Sequence, residues 1–255
     1  MNERWITFDL DGTLMQNPFV EWVFPEIEEI VSTAAKRKIE VKNAMFSEHI
    51  NRMKQNKSVE AYDWDNILVE FLHGSGIDCE VNIEELVKKH SVSPKIKLLE
   101  TNVIEILNQL KKSGYRLAVI TNGHAKYQLP VVEHLQLSGL FDYFITPEKG
   151  HCAKPNIKII ESLMKKGKVV AHVGDRIDHD VYLAAQINIK SVFIYRDLPK
   201  QLQNSSPFER NKDPIFLELY KHKWQKETGT KTSEIPNLPI PDIVIYSIRE
   251  LIDVL

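Results

Sequence analysis

The sequence predicts an α/β protein, a doubly wound and mostly parallel sheet with a smaller all-helical portion inserted after the first strand. Three observations predict it. Short apolar runs recur along the chain and are continuous rather than alternating, as strands buried on both faces should be. Amphipathic helical patterns separate several of these runs, which implies crossover connections and hence parallel strands. The stretch between about residues 16 and 95 carries helical patterns and no strand pattern.

Trp5-Ile6-Thr7-Phe8 is the first apolar run. The insert of about 80 residues that follows is too long to be a loop. Within it Trp64, Ile67, Leu68 and Phe71 form one stripe, stopped by Gly74 and Gly76. Ile83, Leu86, Val87 and His90 form another, opened by Asn82 with Glu85 three residues on, a capping-box arrangement. The expected division is a helical unit at 16–95 standing over an α/β core made of 1–15 and 96–255.

The core pattern resumes with Val103, Ile106, Leu107 and Leu110 at helical spacing. Thr101 is the expected N-cap, Lys111 and Lys112 suit the last turn, and Gly114 suits the position just past it. Apolar runs then follow at 117–120, 143–145, 169–173, 192–195 and 243–246. Between about 197 and 241, Pro199, Pro207, Pro214, Pro236, Pro239 and Pro241 punctuate a polar stretch with one helix-like segment near 215–226. It reads as a surface excursion. The alternatives are contact with a partner subunit or a place beside the site described below.

Composition bounds the function. Of 255 residues, 43% are hydrophobic and 27% charged, and the net charge of −2 comes from interspersed signs. That suits a soluble core and gives no basic stripe for nucleic acid. Cys79 and Cys152 are too few for a disulfide framework, so a reducing compartment is expected. No run reaches the roughly 20 apolar residues of a membrane span, and the first residues lack a leader pattern. The expectation is a cytoplasmic protein without membrane association. Its oligomeric state is left open.

The chemistry is concentrated in Phe8-Asp9-Leu10-Asp11-Gly12-Thr13-Leu14. An apolar strand ends in two carboxylates two residues apart, and a glycine then permits a sharp turn. Such a pair repels itself unless a cation or a shared proton compensates. Asp-x-Asp-Gly-Thr arises by chance about once in ~10⁵ positions at average residue usage. The bland alternative is an Asx-turn whose acids cap the backbone. Against it, Thr121-Asn122-Gly123 follows the second core strand, Lys154-Pro155 lies beyond the third, and Gly174-Asp175 with Asp178 and Asp180 follows the fourth. Ligands bind at the carboxyl ends of strands in an open parallel sheet. Acids, a hydroxyl donor and an ammonium converging on that rim suit a phosphate accompanied by a divalent metal.

These four segments, in this order, resemble the motifs of the haloacid dehalogenase superfamily, over about residues 4–15 and 96–196 and again from near 242. The insert at 16–95 resembles that family's helical cap. The resemblance implies a hydrolase of small phosphomonoesters working through an aspartyl phosphate. It makes Asp9 the nucleophile and Asp11 the acid and base. It implies Mg²⁺ held by Asp9, the Asp11 backbone carbonyl and Asp175. Thr121 and the Asn122 backbone would bind phosphoryl oxygens, Lys154 would offset charge, and Asp180 would order a metal-bound water or Lys154. The expected partner is a small phosphorylated metabolite. Alternatives are a catalytically silent phospho-ligand-binding protein and a phosphotransferase, mutase or dehalogenase of the same superfamily; the presence of Asp11 favours phosphoryl transfer over dehalogenation.

Two residues depart from the resemblance. Arg176 stands where a small hydroxyl residue is frequent and is expected to be solvated. Asn188 replaces an expected glycine and tolerates the left-handed conformation. His172 is expected to be a hydrogen-bonded core residue, His151 and His179 have no zinc spacing, and Cys152 lacks a general base. Of the aromatics Phe19, Trp22, Phe24, Phe46, Tyr62 and Trp64, most should pack inside the insert. Phe19 and Trp22, nearest the first motif in sequence, are the expected pair facing the site.

Overall fold

The computed structural model describes residues 3–230 and 238–255. Its strands are, in chain order, β1 (Glu3–Phe8), β2 (Met15–Gln16), β3 (Lys97–Leu98), β4 (Tyr115–Ile120), β5 (Tyr143–Ile145), β6 (Gly167–Gly174), β7 (Lys190–Ile194) and β8 (Ile243–Ile245). Six of them form one sheet in the order β5-β4-β1-β6-β7-β8. Every neighbouring pair in it is parallel. All six apolar runs of the sequence are its strands, because crossover helices cover both faces and leave no polar side to alternate with. The chain winds outward from β1 to β4 and β5, then returns to add β6, β7 and β8. The order therefore reverses at β1, which opens a crevice beyond the carboxyl ends of β1, β4 and β6.

β2 and β3 form a separate antiparallel pair, Met15 opposite Leu98 and Gln16 opposite Lys97. Two residues are too few to show a period, so this pair is not legible from side-chain patterns. It joins the two chain passages between the sheet and the insert.

The insert opens with a π-helical turn at Phe19–Val23 and continues through α1 (Phe24–Ala35), α2 (Val41–Lys54), α3 (Trp64–Gly74) and α4 (Ile83–His90). The Asp63 side chain accepts from the Asn66 N–H at the start of α3, and Asn82 accepts from the Glu85 N–H at 3.1 Å to start α4. Each satisfies a donor that the first turn leaves free. Buried Phe24, Ile27, Met45, Leu68 and Val87 of the insert belong to the same apolar cluster as Ile6, Phe8, Leu117 and Val173 of the sheet. The hydrophobic effect thus joins insert and sheet in one core.

After β3 come α5 (Val103–Lys112) and α6 (Ala125–His134). The N-cap of α5 is Asn102, not Thr101, and no side chain caps it. The Asn102 carbonyl accepts the first helical bond, from Ile106, so the helix begins one residue later than the hydroxyl suggested. Gly114, at φ +88°, turns the chain just past the helix as expected. Asn188 takes the left-handed conformation at φ 53°.

The segment after β7 is more than a surface excursion. Its helix Pro214–Thr228 starts where Asp213 accepts from the Ile215 N–H at 2.8 Å. It buries Phe216 and Tyr220 against Ile177, Val181, Phe193 and Val244. A helix-like stretch near 215–226 was legible; its start at Pro214 and the face it covers were not. Pro236 lies outside the described residues. Among the described residues no helix is long and apolar enough to cross a membrane.

Candidate active site

Asp9 directly follows β1, Thr121 follows β4 and Asp175 follows β6, so the parallel register delivers all three to one rim. Lys154 reaches the same place from the loop beyond β5. Its ammonium donates to Asp9 Oδ1 and to Asp180 Oδ1, each at 2.6 Å. It is 1% exposed, so these are ion pairs shielded from water. Burial works against the lysine charge, but the Asp180 and Asp9 carboxylates outweigh it and raise the Lys154 pKa. Asp180 also faces the Nε2 of His172 at 2.9 Å and accepts from the Arg176 N–H at 3.0 Å. Burial opposes its ionisation, yet Lys154 and His172 hold it below the ordinary carboxylate range. His172 is a hydrogen-bonded core residue, as expected, with Thr7 Oγ1 2.8 Å from its Nδ1. Its other partner is a site residue, which sequence reasoning did not foresee.

Carboxylate oxygens of Asp9, Asp175 and Asp180 lie within 4.8 Å of one another. Burial raises the pKa of Asp9 more than Lys154 lowers it. Asp175 is pushed up to about 7, chiefly by burial and then by the charge of Asp9. Three carboxylates against the Lys154 ammonium leave an excess of negative charge when all are ionised. Lys223 approaches Asp175 only to 3.8 Å and sits nearer Glu227, at 3.0 Å. An all-oxygen donor set carrying excess negative charge fits a hard divalent cation.

Two glycines make this approach possible. Gly12 sits at φ +81°, and a Cβ there would stand 2.7 Å from the Asp175 carboxylate. A Cβ on Gly174 would stand 2.2 Å from Asp180 Cγ. Any side chain at either position would push an acid out of the cluster.

Asp11 is set apart from this group. Its Oδ2 accepts from Gln128 Nε2 at 2.6 Å, and its pKa is pushed up to about 7, mainly by burial with the Asp9 charge adding. A proton is therefore available on Asp11 near neutrality. Gln128 lies on α6 and was missed, since a lone glutamine in a helix carries no sequence signal. Thr121 is buried, with Oγ1 accepting from the Gly123 N–H at 3.2 Å. The Asn122 side chain clamps the Lys154 backbone, accepting from its N–H at 2.7 Å and donating to its carbonyl at 3.1 Å. Asn122 thus fixes where Lys154 starts its reach.

A cavity of about 680 Å³ opens over these groups, bounded by Asp9, Asp11, Thr121, Asn122 and Lys154 on the sheet side. Arg176 also lines it; its side chain is 38% exposed, in keeping with the expected solvation, and its guanidinium donates to both oxygens of Asp178 at 3.0 and 2.7 Å. His179 lines it too, its pKa lowered to about 4 by burial. The excursion helix contributes Glu227 and Thr228 to the wall. Glu227 accepts from the Ile177 and Asp178 N–H groups at 2.8 and 3.3 Å, which braces the loop carrying Asp175. Of the two aromatics expected to face the site, Phe19 does so. Trp22 does not: it stacks on His90 with Lys95 over its ring, on the far side of the π-helical turn. Phe24, Phe46, Tyr62 and Trp64, more distant in sequence, line the cavity instead. Cys152 is buried, with burial pushing its thiol up, which makes it a poor nucleophile.

Core and insert also meet through polar contacts beside the cavity. Lys126 of α6 pairs with Asp63 at 3.0 Å and Asp65 at 2.7 Å. Tyr127 donates to Asp65 Oδ2 at 2.8 Å.

A family model for haloacid dehalogenase-like hydrolases matches residues 3–188. The glyceraldehyde 3-phosphate phosphatase of Methanocaldococcus jannaschii is 26% identical over 206 residues, 79% of this chain and 89% of its own. The phosphoglycolate phosphatase of Colwellia psychrerythraea is 28% identical over 203 residues, 73% and 82% of the two chains. Among solved structures, a HAD phosphatase from Thermococcus onnurineus superposes with a TM-score of 0.68 at 22% identity, covering 100% of this chain and 97% of its own. At that identity the likeness speaks to the fold alone.

Proposed function

This chain belongs to the haloacid dehalogenase-like hydrolases, and on that premise we propose that it is a phosphatase of small phosphomonoesters with Asp9 as nucleophile. The observation that carries the proposal is the different partner held by each of two acids two residues apart. Asp9 is tied to the Lys154 ammonium, whereas Asp11 sits on Gln128 with its pKa pushed up to about 7. Burial raises the pKa of both acids, so it is their partners that distinguish them: the carboxylate held by an ammonium is placed as nucleophile and the one held by a neutral amide as acid.

A carboxylate oxygen of Asp9 attacks phosphorus and the ester P–O bond breaks. Asp11 gives its proton to the departing alkoxide, which leaves as the alcohol. Asp11, now ionised, takes a proton from water as that water attacks the aspartyl phosphate, releasing phosphate and restoring Asp9. Thr121 and the Asn122 backbone bind phosphoryl oxygens, and Lys154 offsets charge between them and Asp9. Asp180 keeps Lys154 in place. Asp9, the Asp11 carbonyl and Asp175 would hold Mg²⁺, which when bound supplies positive charge against the phosphate oxygens. Residues 16–95 act as the cap over the core of 1–15 and 96–255, excluding bulk water from the cavity.

The test is hydrolysis of p-nitrophenyl phosphate and a metabolite panel in Mg²⁺. Wild type is expected to release phosphate, and Asp9→Asn and Asp9→Ala are expected to be inactive. Full activity in both variants would exclude Asp9 as nucleophile.

A further inference from the structure

The cap side of the cavity is built from rings and aliphatic chains. Phe19, Phe24, Phe46, Ile50, Met53 and Trp64 line it, all from the insert. Trp64 is locked among its neighbours, 5.3 Å from Phe24 at 83° and 5.5 Å from Phe46 at 55°, edge and tilted contacts of the kind aromatic pairs prefer. Three of the polar tips in the lining already hold a partner. His49 Nδ1 lies 2.6 Å from the Ala61 carbonyl, Tyr62 Oη accepts from Asn122, and Tyr127 Oη donates to Asp65. Burial also lowers the His49 pKa, which keeps its ring neutral. Lys54, the cation that the insert adds to the lining, is exposed. Two large apolar side chains among the lining residues remain half exposed, Val20 at 51% and Ile50 at 50%. Exposed apolar surface gathered at a cavity marks a contact for an apolar ligand.

We propose that the alcohol portion of the substrate is apolar and ring-bearing, so that the preferred esters are arylalkyl phosphates rather than phosphates of polyols or short hydroxy acids. This deepens the phosphatase reading and rests on the sheet-side rim binding the phosphate. A two- or three-carbon polar alcohol would fill little of a cavity of about 680 Å³ and would set its hydroxyls against carbon walls. An aromatic ring would be desolvated against the cap wall.

The experiment separates binding from turnover. Affinities of the full chain for benzylphosphonate and methylphosphonate are measured by calorimetry in Mg²⁺. Hydrolysis of benzyl phosphate is then compared with that of glycerol 3-phosphate, two alkyl esters chosen so that leaving-group reactivity does not decide the result. Benzylphosphonate is expected to bind at least about tenfold tighter, with a comparable preference in kcat/KM, from burial of one ring. Ile50→Asp, at a half-exposed position where folding tolerates it, is expected to narrow both ratios. Equal affinities, no detectable binding of either phosphonate, or a preference for glycerol 3-phosphate would overturn the inference. Tighter benzylphosphonate binding without turnover of either ester would sustain it while removing the phosphatase reading.

Discussion

Replacing Lys154 with methionine isolates the charge at the centre of the site. The two side chains are similar in length and shape, so little cavity is created and the cost falls on the acids left behind. In the wild type the ammonium is 2.6 Å from both Asp9 and Asp180. The side chains are 1%, 11% and 2% exposed, so solvent does little to screen the loss. Removing one partner of a buried ion pair costs about 3–5 kcal/mol. At about 1.4 kcal/mol per decade, that is a fall of roughly 10²- to 10⁴-fold in the folding constant. The sign of the pH dependence follows from Asp180. Its folded pKa is depressed, so its stabilising contribution is present above the ordinary value of 3.8 and is lost as pH falls through that value and below. Without Lys154 the acids instead take up protons more readily, which relieves their repulsion. The deficit of Lys154→Met relative to wild type is therefore expected to be large at pH 7.5 and smaller at pH 4.5. Guanidinium unfolding with EDTA present measures it, and added Mg²⁺ should recover part of it by replacing the missing positive charge. A deficit below about 1 kcal/mol at pH 7.5, or one that did not shrink at pH 4.5, would refute the account of a buried, charge-starved cluster.

Three further outcomes follow from the same geometry. With an alkyl phosphate as substrate, kcat should fall as pH rises through about 7, because Asp11 must carry a proton to release the alkoxide; a pH–rate profile shows it, and a flat profile from pH 6 to 9 would remove Asp11 from that role. Gly174→Ala should lower stability by about 2 kcal/mol and suppress activity, since its Cβ would stand 2.2 Å from Asp180 Cγ and dislodge the acid that holds Lys154; thermal unfolding and turnover of the variant test this together. Lys126→Met should loosen the contact between α6 and the start of α3, so that KM rises several-fold while unfolding in denaturant shifts by about 1 kcal/mol or less, the pair with Asp63 and Asp65 being partly exposed.

What the sequence determined by itself was local or strictly ordered. Continuous apolar runs marked all six strands of the parallel sheet, because burial on both faces is written residue by residue. Asp9, Asp11, Thr121 and Asp175 were legible because each lies just past a strand, and parallel strands point their ends the same way; Lys154, farther beyond β5, was legible from its place in the motif order. Asn82 and Gly114 declared their helix boundaries for the same reason, through bonds and dihedrals spanning a few positions. Tertiary structure decided the rest. Gln128 reaches Asp11 across 117 positions, Glu227 braces the loop after β6 from 50 positions away, and no periodicity encodes either contact. Proximity in sequence singled out Trp22 for the cavity, but the π-helical turn sends it to His90 and admits Phe46 and Trp64 from later helices. Side-chain patterns report which face of an element is apolar. Which apolar face meets which acid depends on how the elements pack, and that is a property of the whole chain.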